Sequence, residues 1–402
     1  MGGVPALVIG NGLSVLGAIR LLGRQGITAF CFGVPKIERY SRWYRPVPDF
    51  DLSRATPDRL AEFLMQCSFE RAVLIPASDA AVRAIATLPP QLRERFPASV
   101  PSVAIADQLC DKALFSELLE RVNVPSPLTR RVDSVADLVS LPERIFDGAF
   151  LKPADSAQFM SRFGVKGFRV ASRQDAIAKA GPPLSEGMRL VLQEYIPSTI
   201  DPAGEGPPSD HILIDGFVDG SGAIKGMFAR RRLRMFPLDF GNTTYMVSIP
   251  LREVPGPVDD LRRLVGHLGH RGIFSGEFKQ DPRDGKYKLL EINSRVWWFV
   301  EYAGRCGLDV CAMSYLDALG ERIDRVENYT VGAKFAHAYY DFHAVKHLHR
   351  AGRLSVVAAA RSWMGAQEPF FNWTDPAPAV IDCIGLLRVG GRLHNAAKRQ
   401  IA

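Results

Sequence analysis

Cysteine is scarce in this chain, and the spacing of its few cysteines argues against a zinc site. Six cysteines stand among 402 residues, and the closest two, Cys306 and Cys311, have four residues between them. A zinc-binding CxxC pair has two residues between its cysteines, so this chain has no such pair. We interpret the cysteines as reduced core residues of a cytoplasmic protein.

Long hydrophobic runs and nucleic-acid motifs are also missing. No stretch approaches the ~18 apolar residues that a membrane-spanning helix needs. The first five residues, Met-Gly-Gly-Val-Pro, lack the basic start of a signal peptide. Lysine and arginine exceed aspartate and glutamate by only seven, and no zinc finger, helix-turn-helix or RNA-reading motif is present. We therefore expect no transmembrane segment and no nucleic-acid partner, but a preference for anionic small molecules.

The chain opens with the pattern of a nucleotide-binding fold, but its glycine turn is incomplete. A buried-strand pattern over residues 6–9 leads into Gly10-Asn11-Gly12, a helix, and a second strand over 27–32. Val15 stands where a dinucleotide fingerprint has its third glycine, and no acidic residue ends the second strand. An NAD site, a backbone-amide nest for another anion, and a plain tight turn all remain open.

Two strand patterns later in the chain bring acidic side chains together. Residues 274–280 and 286–292 both read as strands, joined by an Asp-Pro-Arg-Asp-Gly turn. A hairpin of these strands places Glu277 near Glu291, and Asn293 lies on the same face as Glu291. Oxygen ligands grouped in this way suit Mg²⁺ bound together with substrate phosphates. A solvated hairpin with scattered charges is the alternative.

Other residues that can carry chemistry follow one another in a recognisable order. They are Lys112, Lys152, a loop containing Gly164 and Gly167, Gln193-Glu194-Tyr195-Ile196, Arg232 and Arg234, Glu277, and Glu291-x-Asn293-x-Arg295. This order resembles the ATP-grasp superfamily of carboxylate–amine ligases over about residues 105–320. Arg232-Leu-Arg-Met-Phe-Pro237 and Trp373-Thr-Asp-Pro376 are similar to the bacterial predicted ATP-dependent carboligases.

The resemblance implies an α/β fold with an N-terminal parallel-sheet domain, a two-lobed α+β ATP-grasp fold and a C-terminal extension. We expect the N-terminal, pre-ATP-grasp domain in residues 1–105. The small lobe with its phosphate lid is expected in 106–190 and the large lobe with the metal hairpin in 191–330. Residues 331–402 form the extension, where His343 and His347 have helical zinc-ligand spacing but lack the glutamate of a zinc protease.

The resemblance also implies how ATP is held. Lys112 and Lys152 would bracket the α- and β-phosphates as point charges. Residues 155–167 would form a lid of backbone amides over the phosphates. The members of this nucleotide site are Lys112, Lys152, Gly164, Lys166, Gly167, Glu194, Tyr195 and Ile196, with Asp201 as a candidate for the ribose.

By the same resemblance, Glu277, Glu291 and Asn293 would hold two Mg²⁺ ions, for which Mn²⁺ could substitute. Arg295 would stabilise the negative charge that develops in the reaction. Arg232 and Arg234 would bind the acceptor carboxylate or the γ-phosphate.

The implied activity is an ATP-dependent joining of a small-molecule carboxylate to an amine through an acyl phosphate, with release of ADP and phosphate. The oligomeric state stays open, with a homodimer as one alternative, because similar ligases frequently form dimers through the first domain. A nucleotide-binding regulatory module without ligase chemistry, and an NAD oxidoreductase, are the alternatives.

Overall fold

The computed structural model describes residues 3–154, 159, 162–165, 167–197, 210–238 and 241–389. The chain begins with three parallel strands in the order β2-β1-β3. Strand β1 is buried on both faces, as parallel sheets are, with Ala6 and Val8 in one hydrophobic cluster and Leu7 and Ile9 in another. The elements of this part are β1 (Ala6–Ile9), α1 (Leu13–Arg24), β2 (Ala29–Phe32), α2 (Leu60–Gln66), β3 (Val73–Pro76), α3 (Asp79–Ala86), α4 (Pro90–Arg95) and α5 (Val103–Cys110).

The glycine turn after β1 already contains an anion, supplied by the protein itself. The amide of Gly12, a residue with φ of 74°, donates to Glu38 Oε2 at 2.9 Å, and the amide of Lys36 donates to Glu38 Oε1 at 3.1 Å. Burial raises the pKa of the Glu38 carboxyl against these favourable hydrogen bonds. One amide of the glycine turn is thus bonded to a carboxyl group of the protein itself.

Residues 107–120 have the sequence pattern of a single helix, but the structure has two helices here that meet at Asp111. This residue has an extended backbone, and its carboxylate accepts hydrogen bonds from the amides of Ala113 and Leu114 at 2.9 and 3.2 Å. Asp111 thus caps the second helix, a role for which aspartate is well suited. Lys112 consequently occupies the first turn of a new helix.

A four-stranded antiparallel sheet, in the order β4-β7-β5-β6, follows. Leu151 of β5 and Leu192 of β7 face a hydrophobic cluster that includes the helices covering this sheet. Lys152 and Gln193, one position further along each strand, consequently point to the opposite face. The elements are α6 (Lys112–Arg121), β4 (Thr129–Val132), α7 (Val135–Ser140), β5 (Phe150–Pro153), β6 (Phe168–Arg169), α8 (Arg173–Ser185) and β7 (Leu190–Gln193).

The largest sheet has six strands in the order β12-β11-β8-β9-β10-β13. Strand β9 continues through the basic run of residues 230–234 to Phe236 and pairs with β10. Strand β13 lies beyond residue 330, so the expected extension begins within this sheet. The elements are β8 (His211–Val218), β9 (Ile224–Phe236), β10 (Asn242–Ile249), α9 (Pro255–Leu268), β11 (Gly272–Gln280), β12 (Tyr287–Asn293), α10 (Val300–Cys306), α11 (Val310–Leu319) and β13 (Lys334–Ala336).

Three more helices follow in the described residues, and a buried arginine of α1 contacts the segment between the last two of them. The Arg20 side chain is fully buried and donates to Asp375 Oδ2 at 2.8 Å and to Glu301 Oε2 at 3.0 Å. It also donates to the carbonyls of Pro369 and Phe370 at 2.9 Å. Within the described ranges, none of the helices combines the length and the apolar character needed to cross a bilayer. The elements are α12 (Ala338–Arg350), α13 (Val356–Trp363) and α14 (Ala377–Val389).

Candidate active site

The acidic hairpin expected from the sequence is formed by β11 and β12. Glu277 and Glu291 are directly opposite in the antiparallel register, and a bulge follows Glu277. Opposed residues in such a pair lie on the same face of the sheet. The two strands therefore present two carboxylates side by side, as the pattern predicted.

The Glu277 carboxylate lies in a cationic environment. Arg232 of β9 donates to Glu277 Oε1 at 2.9 Å, and His211 Nε2 lies 4.0 Å from the same atom. Arg232 is held by a second hydrogen bond, from its Nε to Thr243 Oγ1 at 2.7 Å. Burial by itself raises the pKa of Glu277, but the positive charge and the hydrogen bond of Arg232 outweigh it and the pKa is lowered. Glu277 is therefore kept ionised, as a metal ligand must be.

Glu291 has fewer contacts and is exposed at its position on β12. Its Oε1 accepts a hydrogen bond from the Asn293 side-chain amide at 3.2 Å. The Asn293 side-chain oxygen in turn accepts from Arg295 at 3.0 Å. The guanidinium of Arg295 also pairs with Asp79 Oδ1, at 3.0 Å. Arg295 is thus close to the predicted metal ligands but is bound to Asn293 and Asp79.

Lys152 approaches the same acidic pair from the four-stranded sheet. Its ammonium donates to Gln193 Oε1 at 2.8 Å. Burial, together with repulsion from Lys112, lowers the pKa of Lys152 to about 8, and the negative charges of Glu291 and Glu277 oppose this shift. Side chains from four separate elements, namely Lys112, Lys152, Glu277 and Glu291, therefore interact electrostatically around the Lys152 ammonium.

The segment after β7 joins the two sheets, but the Glu194 side chain does not face the cleft freely. Glu194 Oε1 accepts from the Leu128 amide at 2.8 Å and from Lys288 at 3.0 Å, and Oε2 accepts from Arg283 at 2.8 Å. Burial alone raises the pKa of Glu194, yet these donors lower it. The Glu194 carboxylate thus fastens this connecting segment to the turn and second strand of the acidic hairpin.

Two further contacts fix the segment to β11. The Ile196 carbonyl accepts from Lys279 Nζ at 2.7 Å. The same ammonium lies 5.2 Å from the centre of the Tyr195 ring, within range of a cation–π interaction. Strand β11 therefore supplies both a predicted metal ligand, Glu277, and the lysine that holds the connecting segment.

One cleft collects most of these side chains. Its walls come from the four-stranded sheet, the connecting segment and the large sheet. The lining residues are Pro127, Phe150, Lys152, Gln193, Glu194, Tyr195, Ile196, His211, Arg232, Met235, Gly241, Glu277, Lys279 and Leu290.

Other predicted residues lie elsewhere or are not described. Arg234 is buried against Asp341 of α12 rather than lining the cleft. Gly167 packs so closely that an added Cβ would lie 2.9 Å from the Leu151 carbonyl oxygen, whereas Gly164, with φ of 69°, has open space around it. Lys166 and Asp201 lie outside the described residues.

Sequence reasoning missed several residues that the structure places in or beside the site. Lys279 stands two positions after Glu277, so strand periodicity alone puts it on the same face. Gln193 was named with Glu194 in the sequence, but its hydrogen bond from Lys152 of the neighbouring strand was not foreseen. His211 and Asp79 carry no motif, and only the tertiary fold brings them to the acidic hairpin and its Arg295.

The residues present suit Mg²⁺ with a nucleotide. In the described part of the chain, no cluster of three His, Cys, Asp or Glu forms a complete metal cage. Two carboxylates and one amide oxygen instead match the partial protein coordination that Mg²⁺ accepts when phosphates supply the remaining ligands.

Comparison with known proteins agrees with this architecture. No family model matches the chain. A D-aspartate ligase of Enterococcus faecium is 24% identical over 260 residues, which cover 62% of this chain and 60% of that ligase. The chain thus aligns with less than two thirds of the length of this curated relative.

Solved structures of several ligases and carboxylases superpose on the chain. The biotin carboxylase domain of Hydrogenobacter thermophilus 2-oxoglutarate carboxylase, a dimer with MgADP, gives a TM-score of 0.61 at 15% identity, covering 83% of this chain and 74% of that one. The ADP complex of purK, an N5-carboxyaminoimidazole ribonucleotide synthetase, gives 0.60 at 13% identity, covering 86% and 87%. An L-amino acid ligase of Bacillus licheniformis gives 0.54 at 14% identity, covering 79% and 75%. Together with the three sheets, these likenesses confirm the resemblance found in the sequence: the chain has the ATP-grasp fold.

Proposed function

We propose that the protein is an ATP-dependent carboxylate–amine ligase. The observation that carries the proposal is the cleft in which Lys152 of one sheet faces Glu277 of another, with Glu291 opposite Glu277 on the neighbouring strand. Phosphoryl transfer from ATP requires a cation that binds the phosphates and carboxylates that bind a metal. In this cleft the two are held on opposite walls. In the proposed reaction, a substrate carboxylate attacks the γ-phosphorus and ADP leaves; an amine then attacks the acyl phosphate, which releases phosphate and forms an amide.

The residues in and beside the cleft would have different roles in this reaction. Lys152 and Lys112 would bind the phosphates, while the backbone of Tyr195 and Ile196 would meet the adenine. Glu277, Glu291 and Asn293 would hold two Mg²⁺ ions, which neutralise phosphate charge during transfer, and Mn²⁺ could replace them. The site therefore uses bound charge rather than a covalent protein intermediate.

The three predicted arginines take different roles in this proposal. Arg232 keeps Glu277 ionised and is close enough to the cleft to contact the γ-phosphate. Arg295 lies next to Asn293 and is a candidate to stabilise the acyl phosphate. Arg234 supports the C-terminal helices through Asp341.

Two of the similar proteins are named for amino-acid substrates, a D-aspartate ligase and an L-amino acid ligase. We therefore propose that an amino acid is at least one of the two substrates. The carboxylases that superpose on the chain share only its fold, so their substrates are not carried over to it.

A hydroxamate assay tests the proposal. The enzyme is incubated with Mg-ATP, hydroxylamine and a panel of amino acids and other carboxylates, and ADP and hydroxamate are both measured. We expect hydroxamate with at least one carboxylate, and Glu291→Gln should abolish ADP release. Glu321→Gln makes the same change at an exposed glutamate that is not part of the site, and it serves as the matched control.

Two outcomes would contradict the ligase. ATP binding without hydroxamate or ADP release across the whole panel would favour the regulatory module instead. Unchanged ADP release in Glu291→Gln would show that the metal ligands are wrongly assigned.

A further inference from the structure

The N-terminal sheet reaches the acidic hairpin through the loop between β3 and α3. Asp79, the first residue of α3, accepts a hydrogen bond from Arg295 Nε at 3.0 Å. One residue further on, the Val296 amide donates to the Pro76 carbonyl, also at 3.0 Å. The chain that leaves β12 is thereby fastened at two adjacent points to the end of β3.

The first of these contacts continues as a line of hydrogen bonds to the predicted metal ligands. Arg295 Nη2 donates to Asn293 Oδ1 at 3.0 Å, and Asn293 Nδ2 donates to Glu291 Oε1 at 3.2 Å. An amide oxygen has two lone pairs, so Asn293 Oδ1 can accept from Arg295 and still coordinate a cation. The line fixes which end of the Asn293 amide points to which neighbour.

Charge gives this arrangement a second consequence. The Asn293 side-chain amide bonds to both residues, so a single amide group separates the Arg295 guanidinium from the Glu291 carboxylate that would bind the metal. Asp79 supplies an alternative anion for it. Within the described residues Glu291 forms no ion pair, whereas Arg295 is paired with Asp79. The Glu291 carboxylate accepts a hydrogen bond from Asn293.

We propose that Asp79 is a positioning residue for the metal site: it holds Arg295 away from Glu291 and, through Arg295, orients Asn293 for the cation. This inference rests on the proposed function, because it assumes that Glu291 and Asn293 bind the divalent cation. Groups that hydrogen-bond to metal ligands and orient them commonly have a strong effect on the affinity for the metal. The N-terminal domain would thus contribute to the cation site without touching the cation.

A different role for Asp79 makes the opposite prediction. Asp79 could instead only compete with a substrate anion for the Arg295 guanidinium. In that case, removing the Asp79 charge would strengthen binding of the anion and leave cation binding unchanged. The two roles can therefore be separated by measuring cation binding directly.

The test follows Mn²⁺ bound with a non-hydrolysable ATP analogue, by electron paramagnetic resonance, so that no turnover is needed. Asp79→Asn should weaken Mn²⁺ binding roughly tenfold, whereas the affinity for the analogue without metal should not change. Asp79→Glu, which keeps the charge, should restore most of the affinity and shows that loss of folding is not the cause.

Asp107→Asn is the matched control. Asp107 of α5 pairs at 2.8 Å with Arg83 of α3, the helix that begins at Asp79. The Asp107 side chain is 53% exposed, against 45% for Asp79. This variant should bind Mn²⁺ as the unmodified protein does.

The outcomes distinguish this inference from the proposed function. Unchanged Mn²⁺ affinity in Asp79→Asn, with lost affinity in Glu291→Gln, would overturn the positioning role alone. Unchanged affinity in Glu291→Gln would overturn the metal site and with it the basis of both proposals.

Discussion

Arg234 and Asp341 form a buried, bidentate ion pair that joins the large sheet to the C-terminal helices. Arg234 Nη2 lies 2.6 Å from Asp341 Oδ2, and Nε lies 3.0 Å from Oδ1. The carboxylate also accepts from Thr244 Oγ1 and from Trp363 Nε1, each at 2.7 Å. An arginine whose sequence pattern suggests substrate binding is therefore used to attach α12 and α13 to β9.

Removal of this carboxylate should destabilise the protein. Asp341→Asn leaves the Arg234 guanidinium buried without its counter-charge, and breaking such a pair costs about 3–5 kcal/mol. We expect a correspondingly lower free energy of unfolding in urea. Asp324→Asn serves as the control, because its partner Arg322 is 91% exposed and the pair should contribute nothing measurable.

Arg232, two residues before Arg234 on the same strand, should respond differently. Arg232→Met removes the charge that lowers the pKa of Glu277, so the burial of Glu277 then raises that pKa. Because protonated Glu277 cannot bind a cation, Mn²⁺ binding should need a higher pH in the variant. A Mn²⁺ titration at several pH values measures this shift, and an unchanged pH profile would show that Arg232 does not control Glu277.

Nucleotide affinity should depend on pH through Lys152. Its pKa is lowered from 10.5 to about 8, so the positive charge is complete below that pH and is lost as the pH rises through about 8. The KM for ATP should therefore rise above pH 8. Lys152→Arg keeps its charge and should remove this rise, whatever its effect on KM at neutral pH.

The same shift affects stability with a definite sign. Between about pH 8 and 10.5 the unfolded chain holds more protons on this lysine than the folded protein does. The contribution of Lys152 to the free energy of unfolding therefore increases with pH across this window.

Much of the architecture follows from local patterns. The buried β1, the glycine turn and the acidic hairpin have short-range signals, and each forms where the sequence predicts it. The helix break at Asp111 shows where this reasoning ends, because an aspartate within a helical pattern can equally be a solvated residue or a cap.

The site was harder to predict, because the order of its residues in the sequence does not show where their side chains point. Lys152 and Glu277 can be named from the resemblance, but Arg232 and Arg234 look alike in sequence. Their difference arises from partners about 45 and 107 residues away, Glu277 and Asp341. Long-range ion pairs of this kind carry no local signal, and the same is true of Asp79 and His211.

The Glu194 carboxylate should control how firmly the connecting segment is held. Glu194→Gln keeps a similar shape but removes the charge that binds Arg283 and Lys288. Since charge-assisted hydrogen bonds are the stronger ones, the segment should loosen and the Kd for ATP should rise several-fold. Calorimetric titration measures the change, and Glu186→Gln, which loses an exposed pair with Arg162, should match the unmodified protein.

The Arg20 contacts described above also bear on the order in which the chain can be completed during synthesis. The first sheet is made before the rest of the protein, yet the side chain buried beneath it needs Glu301, Asp375 and carbonyls near residue 370. Until the ribosome has added those residues, α1 carries a cation with no counter-charge to bury it against. The packing around α1 is therefore completed only after residue 375 has been added, and a chain shortened before Asp375 would leave Arg20 without this partner.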